Sequence, residues 1–197
     1  LFDMHVHFRE PGQMHKEDID TGALAAAYGG FTGVLTMPNT NPPVDNIEVF
    51  RSNEKRANGN IVNVYQSACA TIGRKGETLT DIENLIAITD DGSPIADEMI
   101  MKEVLAKTSR SGKPVVQHCE VMKITDGGII NEGEVSKSLG VKGIPASSEY
   151  KIIERDIALT SQVAGSRYHI QHISTKEAVA LVRNAKTEGL NVTAEAC

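Results

Sequence analysis

Cysteine is scarce in this sequence of 197 residues, and the three present are Cys69, Cys119 and Cys197. An odd and sparse set does not suit a disulfide framework, whereas reduced thiols are typical of cytosolic proteins. No two cysteines stand in C-x-x-C spacing, so a zinc site built on thiolates is not indicated. We therefore expect a cytoplasmic protein in which histidine and carboxylate side chains hold any metal ion.

The sequence also lacks long apolar runs and clusters of basic residues. No apolar stretch approaches the roughly 20 residues that cross a bilayer, and no signal peptide is visible. Lysine and arginine total 20 against 26 acidic residues, a net charge of −6, so neither a membrane nor nucleic acid is an expected partner. With 40% hydrophobic residues, the chain is long enough to bury one core, which predicts a single domain over residues 1–197.

Short apolar runs typical of β-strands alternate along the chain with longer helical stretches. The predicted strands cover residues 1–7, 32–37, 61–68, 86–89, 114–117, 168–172 and 191–194. The predicted helices cover residues 17–28, 47–57, 79–85, 97–108, 152–163 and 174–188, the last opened by a capping box on Ser174 and Glu177. Such alternation predicts βαβ units, a parallel sheet and hence the α/β class.

The number of these units bears on the architecture. Doubly wound sheets share the alternation, but seven β segments with polar residues at their ends favour a (β/α)8 barrel of the TIM type. About seven βα units are present, so the barrel is expected to be incomplete. The stretch 120–145 is too long for an ordinary connection and is predicted to be a mobile active-site loop.

Four of the six histidines fall at the ends of three predicted strands. His5 and His7 project from the same face of the first strand, where both imidazoles can reach one ion. His118 and His172 end two later strands. A lone His-x-His pair is explained equally well by hydrogen-bonded histidines at a strand end, but the shared placement of all four favours a metal site. The other two histidines are predicted to be structural: His15 in a loop and His169 within a strand.

Three further polar side chains follow predicted strands. The Asp-Asp-Gly segment at residues 90–92 offers a carboxylate that can bind or bridge ions, although a turn aspartate before glycine is the commoner explanation for that segment alone. Arg9 suits bidentate capture of a carboxylate, the alternative being a surface ion pair with Glu10. Asn39 offers a neutral donor, the alternative being a turn residue ahead of a proline.

Together these motifs resemble those of a known family. Residues 3–12 read DMHVHFREPG and closely resemble the opening signature of class I dihydroorotases. Further motifs follow in the family's order: MPNT at 37–40, TDDG at 89–92, HCE at 118–120 and HISTKE at 172–177. The first motif alone indicates only the amidohydrolase superfamily, whereas the ordered set spans essentially the whole chain and is much more specific.

The resemblance implies a metallo-dependent hydrolase barrel with one or two zinc ions. His5 and His7 would bind one ion, and His118 and His172 a second or alternative ion. Asp91, the second aspartate of its pair, would be the bridging or shared ligand.

It also implies how substrate is held. Arg9 and Asn39 would bind the substrate carboxylate, and His7 would lie close to both metal and substrate. Asp3 would support the first strand and its histidines. Related hydantoinases and class II dihydroorotases place a carboxylated lysine at the metal position of strand four. No lysine lies between Asn84 and Lys102, which favours the class I pattern over hydantoinase and most allantoinases.

The implied reaction is the interconversion of N-carbamoyl-L-aspartate and L-dihydroorotate in de novo pyrimidine biosynthesis. Zinc lowers the pKa of bound water from 15.7 to about 7 and polarises the amide carbonyl that is attacked. Two alternatives stay open: another cyclic-amide hydrolase such as an allantoinase, and a non-catalytic dihydroorotase-like partner of aspartate transcarbamoylase. The resemblance is also compatible with a homodimer and with a transcarbamoylase partner for the active enzyme.

The family's remaining parts are not in this sequence. Its general acid/base is an aspartate after strand eight, and a small β domain precedes its first barrel strand. We therefore expect a fragment with no catalytic acid/base of its own, inactive alone although the full-length protein is active.

Overall fold

A computed structural model describes residues 1–83 and 85–196, so Asn84 and Cys197 lie outside the described residues. The chain divides into two compact units. The first comprises Leu1–Ser93 and Lys113–Val116, and the second comprises Pro94–Gly112 and Gln117–Cys197. Within the described ranges, every helix is too short or too polar to cross a membrane.

The first unit is built on a parallel sheet. Its strands pair in the order β1 (Phe2–Val6), β2 (Gly33–Thr36) and β3 (Asn63–Gln66). The helices α1 (Ile19–Tyr28) and α2 (Ile47–Ala57) connect consecutive strands. The parallel pairing confirms the predicted α/β class for this unit, because parallel neighbours need such crossover helices.

The N-terminal ends of both helices are set by capping side chains. The Asp18 carboxylate accepts a hydrogen bond from the Thr21 amide at 2.8 Å, so α1 begins at Ile19 rather than at residue 17. Asn46 accepts one from the Val49 amide at 3.0 Å in the same way.

Both faces of this sheet are covered. Val34 on β2 packs into a buried cluster with residues from the first loop, both helices and the segment before β3: Phe8, Ile19, Ala23, Ala57 and Val62. The next residue, Leu35, faces the other way and packs against Met37, Ala87 and Val116. Alternate residues of a strand point to opposite faces, so the two clusters lie on opposite sides of β2. Position 22 requires glycine, because a Cβ there would lie 2.4 Å from the Phe8 ring.

Two predicted elements of this unit differ in the structure. The predicted strand 86–89 consists of single parallel bridges from Ile88 to Ala68 and Val115. The predicted helix 79–85 is wrong for residues 79–83 and 85, which contain no helix. Thr80 explains this, because its amide donates to the Ala70 carbonyl at 3.0 Å and pairs the segment with an earlier loop.

The second unit packs helices against short parallel strands. Its helices are α3 (Glu98–Ser109), α6 (Ser147–Gln162) and α7 (Lys176–Thr187), and its strands include β7 (Arg167–Ile170) and β8 (Val192–Ala194), which pair in parallel. The last residue of β4 (Pro114–Gln117) also belongs to this unit, and its carbonyl accepts a hydrogen bond from the Gln171 amide at 3.1 Å. The sequence placed all these elements within a few residues of their observed bounds, except that α6 begins five residues earlier than the predicted 152.

The stretch 120–145, predicted to be a mobile active-site loop, contains short regular elements. It contains α4 (Met122–Thr125), α5 (Glu134–Ser138) and the parallel pair β5 (Ile130–Asn131) and β6 (Gly143–Ile144). The predicted capping box of α7 is also wrong. Thr175, not Ser174, is the capping residue, and its hydroxyl accepts from the Ala178 amide at 3.2 Å.

Candidate metal centre

The first unit brings three of the predicted ligands together. The Nε2 atoms of His5 and His7 lie 3.2 Å apart. The Asp91 carboxylate faces both, with Oδ1 at 3.4 Å from the His5 Nε2 and Oδ2 at 3.5 Å from the His7 Nε2. Asp91 is buried and the two imidazoles are only partly exposed. We call this group of three side chains the first cluster.

Local hydrogen bonds explain why the second aspartate of the Asp90–Asp91 pair faces the histidines. The Asp90 carboxylate turns away and accepts from the amides of Ala70 at 2.8 Å and Thr71 at 3.0 Å. The Asp91 amide donates to the Thr89 hydroxyl at 3.0 Å, which fixes the turn. The carboxylate of Asp91 is thereby left to point toward His5 and His7, while Asp90 serves to hold the loop.

Asn39 connects His7 with Asp91. Its Oδ1 lies 3.0 Å from the His7 Nδ1, and its Nδ2 donates to the Asp91 Oδ2 at 2.9 Å. An amide oxygen can only accept, so the Nδ1 of His7 carries the proton and its Nε2 presents a lone pair to the cluster. That is the form of imidazole that binds a metal ion. The substrate contact predicted for Asn39 stays a prediction, and the structure shows that Asn39 contacts two candidate metal ligands, His7 and Asp91.

The electrostatic surroundings favour the neutral, metal-binding form of His7. Its pKa is lowered from 6.5, chiefly because burial disfavours the charged ring. The Asp91 carboxylate opposes this effect, while the positive charge of Arg9 and the neighbouring ring of His5 reinforce it. Arg9 therefore lies close enough to influence the cluster. Its backbone is left-handed, with φ 57°, a conformation that a non-glycine residue seldom adopts.

Asp3 supports the strand end as predicted. Its Oδ1 accepts a hydrogen bond from the His5 amide at 2.9 Å, so the carboxylate holds the backbone from which both histidines project.

The second unit brings the other two predicted ligands together. The His118 Nδ1 lies 2.9 Å from the His172 Nε2, and the two rings meet nearly at right angles, at 78°. The other nitrogen of His118, Nε2, lies 2.8 Å from the Glu120 Oε2. A carboxylate accepts, so Nε2 of His118 donates and its Nδ1 presents a lone pair to His172. We call His118, His172 and Glu120 the second cluster.

The surroundings of Glu120 favour the charged form of its carboxyl group. Burial alone would raise the pKa of its carboxyl group, but hydrogen bonds from Thr125 and His118 outweigh that effect and lower it. The second cluster lines a cavity of about 180 Å³ in the same unit, whose other polar lining includes Glu149, Ser174 and Thr175. A small polar molecule therefore has access to both imidazoles.

The donor atoms of the first cluster suit a metal ion by distance and by chemistry. Zinc binds imidazole nitrogen at 2.0–2.1 Å, so neighbouring ligands of a tetrahedral ion lie about 3.3 Å apart. The 3.2 Å between the two histidine Nε2 atoms agrees with that spacing, and the Asp91 carboxylate faces them with its two oxygens, Oδ1 at 3.4 Å from His5 and Oδ2 at 3.5 Å from His7. In the second cluster the His118 Nδ1 and the His172 Nε2 lie 2.9 Å apart, which is a hydrogen-bond distance. Here the residue types suit a metal ion, because two imidazoles stand beside a carboxylate that can orient one of them.

The sequence missed one member of these clusters. Glu120 lies in the HCE motif but had no predicted role, although its position two residues beyond a strand-end histidine was a usable signal. The two histidines predicted to be structural lie elsewhere. His15 is exposed, and the buried His169 contacts the Thr193 hydroxyl at 2.8 Å and the Glu195 carboxylate at 3.1 Å.

Comparison with curated proteins gives relatives along the whole chain. A dihydroorotase from Acetivibrio thermocellus is 43% identical over 204 residues, which cover 100% of this chain and 47% of the relative. A dihydroorotase from Geobacillus kaustophilus is 45% identical over 201 residues, covering 99% and 47%. The chain thus spans less than half the length of these relatives.

Solved structures share its fold. L-hydantoinase (dihydropyrimidinase) from Arthrobacter aurescens superposes with a TM-score of 0.79 at 22% identity, over 100% of this chain and 46% of that protein. Dihydroorotase from Campylobacter jejuni gives a TM-score of 0.67 at 16% identity, over 99% and 53%. At these identities the likeness concerns the α/β fold alone.

The model of one protein family decides the assignment. The family described as dihydro-orotase-like matches residues 1–178, which is most of the 197 residues, and the match includes every residue of both clusters. The chain therefore belongs to the dihydro-orotase-like family.

Proposed function

We propose that the protein carrying this chain is a zinc-dependent dihydroorotase that interconverts N-carbamoyl-L-aspartate and L-dihydroorotate. The observation that carries the proposal is the first cluster, in which two imidazole nitrogens and a carboxylate stand at separations of 3.2 to 3.5 Å. Membership of the dihydro-orotase-like family supplies the reaction class. Membership of this family does not by itself identify the metal ion. The nitrogen and oxygen donors of the first cluster are of the kinds that bind zinc.

The residues of this chain would bind the ion and the substrate. His5, His7 and Asp91 are the proposed ligands in the first unit, and His118 and His172 those in the second. With zinc held by these residues, the site would gain an activated water and a Lewis acid for the carbonyl of the cyclic amide. The proton on the His7 Nδ1 is held by Asn39, which keeps Nε2 available.

Arg9 is the proposed partner of the substrate carboxylate. Its charge acts on His7, so it lies near the cluster, and a guanidinium binds a carboxylate through two parallel hydrogen bonds. Such a contact would orient the substrate so that its reacting carbonyl faces the ligands. Asn39 is proposed to assist it.

We further propose that the chain forms part of a (β/α)8 barrel. Parallel pairing in each unit and the TM-score of 0.79 to a hydantoinase support this architecture. A cytoplasmic location, a homodimer and association with aspartate transcarbamoylase are expectations of the same proposal. Size measurement and co-purification test the last two.

The deciding experiment measures turnover and metal content together. The longest polypeptide that carries this chain is loaded with Zn²⁺ and assayed for hydrolysis of dihydroorotate, allantoin and hydantoin, and for cyclisation of N-carbamoyl-L-aspartate. We expect dihydroorotate to be the preferred ring substrate. The double substitution His5→Ala with His7→Ala should abolish both bound zinc and turnover, whereas His15→Ala, at an exposed histidine, should leave both unchanged.

Other results would point elsewhere. Preference for allantoin or hydantoin would replace the proposed substrate and keep the metal site. Absence of both zinc and turnover in the unaltered protein would refute the proposal and favour a non-catalytic role beside a transcarbamoylase.

A further inference from the structure

The Glu149 carboxylate in the second unit accepts four hydrogen bonds from the two residues at positions 174 and 175, shortly after His172. Glu149, in the first turn of α6, accepts from the Ser174 amide at 2.9 Å and from the Ser174 hydroxyl at 2.8 Å. Its other oxygen accepts from the Thr175 amide at 3.0 Å and the Thr175 hydroxyl at 2.7 Å. Two backbone and two side-chain donors thus meet on a single side chain that lies 25 residues earlier in the chain.

The backbone of His172 needs such support. Its φ is 34°, in the left-handed region, which a non-glycine residue occupies only when its surroundings impose the conformation. On the preceding side, the Gln171 amide donates to the Gln117 carbonyl at 3.1 Å. On the following side, Glu149 holds Ser174 and Thr175. His172 is therefore fixed from both directions while its ring faces His118.

We propose that Glu149 is a positioning residue for His172. It holds the segment after His172 so that the imidazole Nε2 stays beside the Nδ1 of His118, at 2.9 Å. The proposal rests on the proposed function only in taking His172 as a zinc ligand. Groups that orient a metal ligand typically change metal affinity by about 10–100-fold when they are removed.

A simpler role for Glu149 must be separated from this one. A carboxylate near the start of a helix stabilises that helix through its free amides and its dipole, and Glu149 on α6 accepts from the amides of Ser174 and Thr175, which directly precede α7. If capping were its whole role, removing it would lower the melting temperature and leave the ring of His172 unchanged. The test therefore needs a signal that belongs to the two imidazoles.

The experiment records the ring-nitrogen NMR signals of His118 and His172 in the longest polypeptide that carries the chain, first free of metal and then during titration with Zn²⁺ alone. In Glu149→Ala we expect the His172 signals to shift or broaden before any zinc is added, and the zinc concentration at half-saturation to rise by about 10–100-fold. Glu149→Gln keeps one accepting oxygen, so its effect should be smaller. Glu154→Ala, an exposed glutamate on the same helix, is the matched control and should behave as the unaltered protein.

The outcomes distinguish the two proposals. Unchanged ring signals and unchanged zinc response in Glu149→Ala, with only a lower melting temperature, would overturn the positioning role. If the unaltered protein shows no response to zinc, the proposed metal function fails. The metal-free comparison of the His172 signals then still decides whether Glu149 positions that ring.

Discussion

The two histidine clusters differ in where the carboxylate lies relative to the imidazole rings. In the first cluster, Asp91 stands among the candidate ligands and a neutral amide, Asn39, orients His7. In the second, Glu120 stands behind His118, on the ring nitrogen that faces away from His172. The carboxylate of the first cluster is thus itself a candidate ligand, whereas the carboxylate of the second cluster contacts a candidate ligand from behind.

This difference has consequences for how each cluster responds to change. Removing a metal ligand removes a bond to the ion. Removing an orienting group only allows a histidine ligand to rotate, or its proton to move to the other ring nitrogen. Hydrogen bonds to a charged group are also roughly twice as strong as neutral ones. We therefore expect loss of Asp91 to do the greatest damage, loss of Glu120 less, and loss of Asn39 the least of the three.

The most severe prediction concerns Asp91. In Asp91→Ala the first cluster loses its carboxylate, a candidate ligand, so zinc affinity should fall by more than the roughly 100-fold that marks the upper end for orienting groups, and turnover should be lost with it. Metal content after dialysis and dihydroorotate hydrolysis measure both. Asp81→Ala, at an exposed aspartate of the same unit, should retain full metal and activity. Normal zinc binding in Asp91→Ala would remove Asp91 from the ligand set.

Glu120 should give the next largest effect. Glu120→Gln keeps the shape of the side chain but replaces a charged acceptor with a neutral amide oxygen, so the hydrogen bond that holds the proton on the His118 Nε2 becomes weaker. We expect zinc affinity of the second cluster to fall by about 10–100-fold. Zinc titration followed by the His118 ring signals measures it. Glu134→Gln, at an exposed glutamate of the same unit, is the control, and equal affinities in the two variants would contradict an orienting role.

Asn39 should give a smaller change in metal affinity. Asn39→Ala removes the contacts to His7 and Asp91 but no charge, so a fall in zinc affinity of about tenfold, at the low end for such groups, is expected. The same variant tests the predicted substrate contact, which would raise KM for dihydroorotate beyond what the loss of zinc explains. Assays at saturating zinc separate the two effects. An unchanged KM there would leave Asn39 with its orienting role alone.

The smallest prediction concerns pH. The pKa of His7 in the folded protein lies below 6.5, its value in an unfolded chain. As the pH falls, His7 is therefore protonated in the unfolded chain before it is protonated in the folded protein. The contribution of His7 to the free energy of unfolding is therefore present above pH 6.5 and is lost as the pH falls through the folded-state value. Denaturant unfolding of metal-free protein across this range should show a weaker pH dependence in His7→Gln.

A matched substitution makes this result specific. His15→Gln, at an exposed histidine of the same unit, should keep the pH dependence of the unaltered protein. If His7→Gln and His15→Gln have the same dependence, the burial of His7 does not contribute to acid sensitivity.

The local features of this protein could be predicted from the sequence because they depend on near neighbours. Alternation along a strand places His5 and His7 on one face, and the apolar periodicity located most of the observed strands and helices. The exceptions are instructive. The segment 79–83 forms no helix because Thr80 pairs with the backbone of Ala70, a partner that lies outside any local pattern.

Tertiary structure decided the features that join distant parts of the chain. Asp91 rather than Asp90 faces the histidines because the amides of Ala70 and Thr71 already bind Asp90. Glu149 reaches Ser174 and Thr175 only because two helices meet, and no spacing in the sequence announces that contact. The sequence by itself determined which side chains end the strands, since that follows from backbone periodicity. Which of them share a site, and which groups hold them there, depends on packing between segments far apart in the chain.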